Sequence, residues 1–339
     1  MKICLDCRYL GMSGIGRFTE GVMRALPDRH EYFFLGDPEK TGGVDRAHVI
    51  PDVRYPLSAR GLKVNGRVND CDAFVTPDFV LPYGVRVPTF SVIHDVVFFD
   101  LPSTTNGVVD RAIKKHLYSR CVKRSRAIMT VSEFSRSRIL AHFPKCRADI
   151  SVVGGGISAA ALAFDTNNVE KGDYFVFVGN IKKQKGLDTL LDALALLGEG
   201  ELYIAGEDKN FRTMDEKVAA RLRDERVHFT GRLGDDELFS LVARARYLVQ
   251  PSTYEGFGLP PLEALALGTV PIVSDIPVFR EVYSDYPAVF FRTGDAEDLA
   301  EKMSAPVPAL PADMRERIAR DHGFGTVAER VISCVERHM

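Results

Sequence analysis

Two carboxylates, a lysine and a histidine carry most of the chemistry legible in this chain. Glu255 and Glu263 stand eight positions apart within residues 250–268, QPSTYEGFGLPPLEALALG. Between them, Gly256 and Gly258 let the backbone turn tightly and bring its N–H groups close to a ligand. Pro260 and Pro261 suit the opening of a helix, where a missing N–H breaks no intrahelical bond. The positive end of that helix and its free amides favour an anion such as a diphosphate. Two carboxylates flanking an anion site are out of place for phosphate alone. They fit an anion that carries sugars at both ends, because carboxylates accept hydrogen bonds from hydroxyls. One Glu alone would more simply complement a helix dipole or face solvent; the whole string is not explained that way.

Lys185 closes a basic loop, residues 179–186 (GNIKKQKG), between an apolar run and a helix over 187–197. Its ammonium can reach a phosphate beside that helix's N-terminus, although a lysine-rich surface turn would read the same. His94 directly follows the strand TFSVI. That places it at the carboxyl edge of a buried parallel sheet, where ligands bind; a capping or structural role explains it equally well. Residues 11–17 join a first strand to a helix with Ile15, Phe18, Val22 and Leu26 at helical spacing, an arrangement that cradles phosphates. Gly14 and Gly16 also open like a dinucleotide fingerprint, with Asp37 after the next strand. Thr19 stands where the third glycine belongs. An NAD-dependent oxidoreductase is therefore the main rival reading, and it leaves residues 250–268 without a role.

Two runs of alternating strands and helices must position these groups. Apolar segments predict strands over 2–6, 32–35, 49–53, 72–76, 89–93, 127–131 and 150–153. A second set follows over 174–178, 202–205, 227–230, 247–249, 270–274 and 288–291. Such alternation implies two doubly wound parallel-sheet α/β domains. Ser132 reads as a helix cap, residues 154–156 (GGG) as a hinge or a close backbone approach, 160–172 as a linker, and about 326–337 as a last helix. From Arg111 to Arg126 the chain is basic, with no acidic residue between Asp110 and Glu133. Ile113, Leu117 and Cys121 fall on one helical face. An interfacial helix on anionic lipid and an ordinary amphipathic helix with a solvated basic face both fit.

The string EGFGLPPLE resembles the signature of retaining GT-B glycosyltransferases of family 4. The loop GIGR, His94-Asp95, VSEFS at 131–135 and the GN–KG loop are similar to that family too, in the same order. The resemblance implies a GT-B fold, two Rossmann-like domains facing a cleft. It implies an acceptor domain over 1–165, a nucleotide-sugar donor domain over 172–320, and a final segment, 321–339, crossing back. It also assigns roles. Glu263 holds the donor ribose, Glu255 lies by the donor sugar, and Phe257, Gly258 and Leu259 contact sugar and diphosphate. Lys185 binds diphosphate. The first basic position of that loop is commonly Arg in the family; here Asn180 or Lys182 stands in its place. Arg232 and Leu233 contact the base, Gly14, Gly16 and Arg17 face the donor phosphates across the cleft, and His94 lies near sugar and acceptor. The implied reaction moves a hexose, with mannose from GDP-mannose preferred, onto a glycan or lipid-linked hydroxyl in cell-surface polysaccharide or lipopolysaccharide synthesis, with retention and without a protein base. A nucleotide-sugar epimerase shares the architecture. No cofactor and no metal are expected: Asp235 and Asp236 read as helix-start acids and not as a metal pair.

At 339 residues the chain is long enough for two domains. No apolar run approaches the roughly 20 residues of a membrane span, and the start MKICLDCRYL lacks a signal-peptide core. Cys4 and Cys7 form the one CxxC among six cysteines, without a second pair to complete a zinc site. A reducing cytoplasm is expected. The net charge of −2 hides an asymmetry. Residues 1–168 hold 23 Lys+Arg and 17 Asp+Glu, or +6, and residues 169–339 hold 21 and 29, or −8. The basic half suits an acidic partner such as a membrane surface or a phosphate-bearing acceptor; no nucleic acid is expected.

Overall fold

The computed structural model describes the chain except residues 13, 59, 65, 106, 207–220 and 223. Ser13, in the first glycine loop, thus lies outside the described residues. The chain divides into two compact units: residues 1–156 with 322–339, and residues 157–321.

Unit 1 is built on a seven-stranded sheet. Its strands are β1 (Lys2–Asp6), β2 (Glu31–Gly36), β3 (Val49–Pro51), β4 (Ala73–Thr76), β5 (Thr89–Ile93), β6 (Ala127–Thr130) and β7 (Asp149–Val152). They lie in the order β3-β2-β1-β4-β5-β6-β7, with every pairing parallel. β4, β5 and β6 are buried at every position, the pattern of a parallel sheet covered on both faces. The helix Gly14–Arg24 covers one face through Phe18, Val22 and Met23.

The last helix, Phe324–His338, packs beside it through Val327, Ala328, Val331, Ile332 and Val335. Phe324 is admitted by two glycines: a Cβ on Gly21 or Gly156 would stand 2.2 or 2.4 Å from its ring. The glycine run at 154–156 therefore serves close packing at Gly156, where hinge and approach were both open. Arg29 fastens the helix from outside, donating to Glu329 at 2.7 Å and to Glu336 at 2.7 Å.

The basic helix is Gly107–Arg124. Its buried face is Leu117, Tyr118, Cys121 and Val122, and Ile113 is 54% exposed with Val108 and Val109 also outside. The expected stripe through Ile113 is corrected: packing begins one turn later, where Tyr118 stacks on Phe79 at 3.9 Å.

Unit 2 holds β8 (Tyr174–Val178), β9 (Glu201–Ala205), β10 (Val227–Gly231), β11 (Tyr247–Gln250), β12 (Pro271–Ser274) and β13 (Val289–Phe291). They form a parallel sheet in the order β10-β9-β8-β11-β12-β13. The helix Leu187–Leu197 buries Leu187, Leu190, Leu191 and Leu194, the three-and-four spacing of one helical face. Each such leucine contributes about 1.5–3 kcal/mol. The stretch read as a linker contains a short helix, Ala159–Ala163, capped by Ser158; Phe164 after it meets Phe239 edge-on.

Candidate functional site

In unit 2 the strand order changes direction between β8 and β11. Ligands in such sheets bind outside the carboxyl ends at that point. The loops after these two strands are fastened together there. The Thr253 N–H donates to the Gln184 carbonyl at 2.8 Å. Gly186, at φ +65°, would place a Cβ 2.0 Å from the Pro251 carbonyl oxygen, so only glycine lets the two loops approach this closely.

This fastening sets Lys185 beside Glu255, with Nζ 2.5 Å from Oε1. The side chains are 19% and 11% exposed, sheltered enough for charge to count and open enough for a ligand. The same Oε1 accepts from Ser252 Oγ at 2.8 Å and lies 3.4 Å from Gln250 Nε2. Among the described residues, nothing donates to Oε2.

Past Glu255 the loop turns at Gly258, φ +86°, which caps the helix Leu259–Ala266. The helix opens two residues earlier than Pro261 because Leu259 and Pro260 already hold its first turn. A Cβ on Gly258 would come 2.3 Å from the Phe279 ring. The Tyr283 hydroxyl donates to the Gly258 carbonyl, and burial pushes its pKa well above the usual phenol range, so it stays a donor. Phe257 is buried and Leu259 half-buried. Glu263, also half-buried, lies one turn into the helix. Arg232, exposed, and Leu233, half-buried, follow β10 in the turn before the helix Asp235–Arg244. Lys182 is exposed and opens the turn that carries Lys185; among the described residues it has no ion-pair partner.

In unit 1 the direction changes between β1 and β4, and the carboxyl ends again gather polar groups. Arg8, 6% exposed, donates to Asp6 at 2.6 Å and to the Gly61 carbonyl at 2.7 Å, and stands 3.8 Å from Asp52. Asp78 is buried, which pushes its pKa up to about 7 against the pull of the Phe79 N–H. The buried Tyr9 hydroxyl stands beside this carboxyl and also pulls its pKa down, although among the described residues it makes no hydrogen bond of full geometry.

His94 sits at the end of β5 with Nε2 2.9 Å from the Pro77 carbonyl. A carbonyl only accepts, so Nε2 carries the proton and Nδ1 is left as an acceptor. Burial pushes its pKa down to about 4, and the Phe18 ring meets it edge-on at 4.9 Å. The Oδ1 of Asp95, the next residue, accepts from the Val97 N–H and starts the following helix. Ser132 caps the helix Glu133–His142 as expected, and Ser135 Oγ donates to the His94 carbonyl. Gly14 begins the first helix in the open, and Arg17 is exposed. Gly16 is buried, and a Cβ there would stand 2.5 Å from the Tyr9 carbonyl oxygen.

Sequence reasoning thus names the two residues that the fold brings into contact, Lys185 and Glu255. It misses Gln250 and Ser252. The available signal was two polar residues closing the apolar run YLV, three and five positions before Glu255. Among the described residues, no group of His, Cys, Asp and Glu could hold a metal ion, and no helix is long and apolar enough to cross a membrane.

Comparison with known proteins gives this geometry a family. The glycosyl transferases group 1 family matches residues 159–308. Glycogen synthase of Mycobacterium tuberculosis (strain ATCC 25618 / H37Rv) is 30% identical over 332 residues, 91% of this chain and 79% of that one. The O-antigen chain mannosyltransferase RfbU of Salmonella typhimurium is 28% identical over 195 residues; the match takes 57% of this chain and only 54% of that relative's length. Among solved structures, the apo form of the lipopolysaccharide outer core galactosyltransferase WaaB superposes with a TM-score of 0.68 at 17% identity, covering 100% of both chains. That likeness shows the fold, two parallel-sheet α/β domains of the GT-B class. The nicotinamide reading of Gly14 and Gly16 is not favoured by these matches. The chain belongs to the group 1 glycosyl transferases.

Proposed function

We propose that the protein is a retaining, metal-independent hexosyltransferase that moves mannose from GDP-mannose onto a hydroxyl of a cell-surface glycan or lipid-linked acceptor. The observation that carries the reading is the Lys185–Glu255 contact at the β8/β11 switch point, beside the N-termini of two helices. Cleaving a nucleotide sugar leaves negative charge on the diphosphate and positive charge on the anomeric carbon. Lys185 and the amides of Phe257, Gly258 and Leu259 answer the first, and the Glu255 carboxylate answers the second. Glu263 takes the ribose hydroxyls, and Arg232 and Leu233 line the base. Lys182 serves as an outer phosphate contact. In unit 1, His94 with its free Nδ1 is assigned to the sugar and acceptor, and Gly14, Gly16 and Arg17 to an anion at the first helix. The departing phosphate oxygen takes the acceptor proton, so no protein base is required.

The mannose preference draws on the relative named O-antigen chain mannosyltransferase. A glucose donor is the second reading, favoured by the glycogen synthase match over 91% of the chain. Both are tested by incubating the protein with GDP-mannose or UDP-glucose in the presence of a chelator and following the sugar released to water by proton NMR. The reading expects one donor to be consumed with the α-anomer appearing first. A β-anomer first would make the enzyme inverting, and no turnover of either donor would reject the assignment.

We further assign the helix Gly107–Arg124 to an anionic membrane surface on the cytoplasmic side. Val108, Val109 and Ile113 are exposed beside Arg111 and Lys115, apolar anchors within a basic field. Lys114 and Arg120 are less available, since they pair with Asp110 and cover the Tyr83 ring. Co-sedimentation with vesicles is expected with phosphatidylglycerol and not with phosphatidylcholine, and lost on Ile113→Asp. Equal binding to both lipids would reject the charge argument.

A further inference from the structure

Three donors converge on one oxygen of Glu255, and two of them belong to residues with no role so far. We propose that Gln250 and Ser252 are positioning residues that lock Oε1 of Glu255 to its own loop and leave Oε2 for the donor sugar. The proposal rests on the donor-site reading above.

Gln250 is the last residue of β11 and Ser252 follows two positions later; both are fully buried. A buried amide and hydroxyl are tolerated when paired. Here they form a directed chain. Gln250 Nε2 can only donate, and it reaches Ser252 Oγ at 2.9 Å. The hydroxyl has accepted, so its own proton goes to Glu255 Oε1 at 2.8 Å. The same amide also lies 3.4 Å from that oxygen.

Lys185 alone would hold the carboxylate loosely, because an ammonium on a flexible stem is a point charge without preferred direction. Ser252 and Gln250 supply the direction. They also stay in place if Lys185 turns toward a diphosphate, so the carboxylate keeps its orientation as the donor binds. The Gln250 amide oxygen is itself buried with no partner among the described residues. A glutamine retained for packing alone would not carry that penalty; one retained for what its N–H reaches would.

The test compares Ser252→Ala, Ser252→Thr, Glu255→Gln and the Ser252→Ala/Glu255→Gln double variant with the unaltered protein. The readouts are kcat and KM for hydrolysis of GDP-mannose or UDP-glucose, nucleoside diphosphate affinity and Tm. A positioning role gives a fall in kcat of about tenfold or more for Ser252→Ala with donor KM within about threefold, restored largely by Ser252→Thr. It gives no further loss from Ser252→Ala once Glu255 is Gln, since residues acting as one unit are non-additive. Gln250→Leu supplies a second variant, expected to lower kcat several-fold without lowering Tm. A folded Ser252→Ala with kcat within twofold, or an equal loss in both backgrounds, overturns the proposal while the donor site stands. If the unaltered protein neither binds a nucleoside diphosphate nor consumes a nucleotide sugar, the donor site falls first and the positioning role with it.

Discussion

Lys185 Nζ lies 2.5 Å from Glu255 Oε1, although the two residues are 70 positions apart in the chain. The pair exists because Gly186 lets its loop rest on Pro251. Replacing Lys185 by Ala removes the cation and leaves the carboxylate with its neutral partners only. The expected result is nucleoside diphosphate binding weakened by about tenfold or more, with the fold intact, since charge-assisted contacts to phosphate are worth roughly 1.5–3 kcal/mol. Calorimetry with GDP and UDP on both proteins measures it.

Gly258 combines a left-handed backbone with a filled space at its Cβ position. Gly258→Ala therefore costs at least about 2 kcal/mol from strain and overpacking against Phe279. Gly14→Ala, with nothing within 4 Å of its Cβ position, leaves Tm unchanged within a few degrees. Thermal unfolding of the two variants side by side checks the contrast.

His94 remains neutral in the folded protein down to about pH 4, because burial opposes its charged form. Its folded pKa lies below the ordinary histidine value, so the unfolded chain takes up the proton first and stability falls as pH drops from about 6.5 toward 4. Nitrogen-15 NMR of the imidazole is expected to show no titration between pH 5 and 8. His94→Gln is expected to lower turnover without removing an ionisation from the pH–rate profile in that window.

Asp78 works in the opposite sense. Its folded pKa is raised to about 7 by burial, so its contribution is fully present below the ordinary carboxyl range and is lost as pH rises through 7. Asp78→Asn keeps an acceptor for the Phe79 N–H and is expected to raise Tm more at pH 8 than at pH 5. An equal shift at both values would contradict the assignment.

Glu336 is held down to about 2, first by the Arg29 hydrogen bond. A depressed carboxyl stabilises above its unfolded value near 4.5, and the contribution disappears as pH falls toward 2. The Tm difference between the unaltered protein and Glu336→Gln is expected to be present at pH 7 and to shrink below pH 4. High salt should shrink it too, because the cluster is solvent-facing.

The strands were legible because parallel sheets bury both faces and their strands read as unbroken apolar runs, TFSVI at Thr89–Ile93 being one. The helix Leu187–Leu197 was legible from leucine spacing. What escaped was set by contacts far along the chain. Ile113 has the right period for the buried face but no neighbouring element to cover it. The roles of Gly21 and Gly156 appear only when Phe324 arrives from the end of the sequence. In the site, Glu255, Glu263 and Gly258 announced themselves by type and spacing. Gln250 and Ser252 did not, because a polar residue at a strand end is ordinary until its partner is known. The buried group of Asp6, Arg8, Asp52 and Asp78 was hidden for the same reason, being assembled from the ends of different strands.

The central claim is that the unit 2 switch point, with Lys185 and Glu255 at its mouth, is a nucleotide-sugar site. The most direct measurement is calorimetric titration of the purified protein with GDP, UDP and NAD in the presence of a chelator. A nucleotide-sugar site there predicts tight binding of one nucleoside diphosphate, none of NAD, and the loss of that binding in Lys185→Ala. Binding of NAD with no response to either nucleoside diphosphate would contradict it.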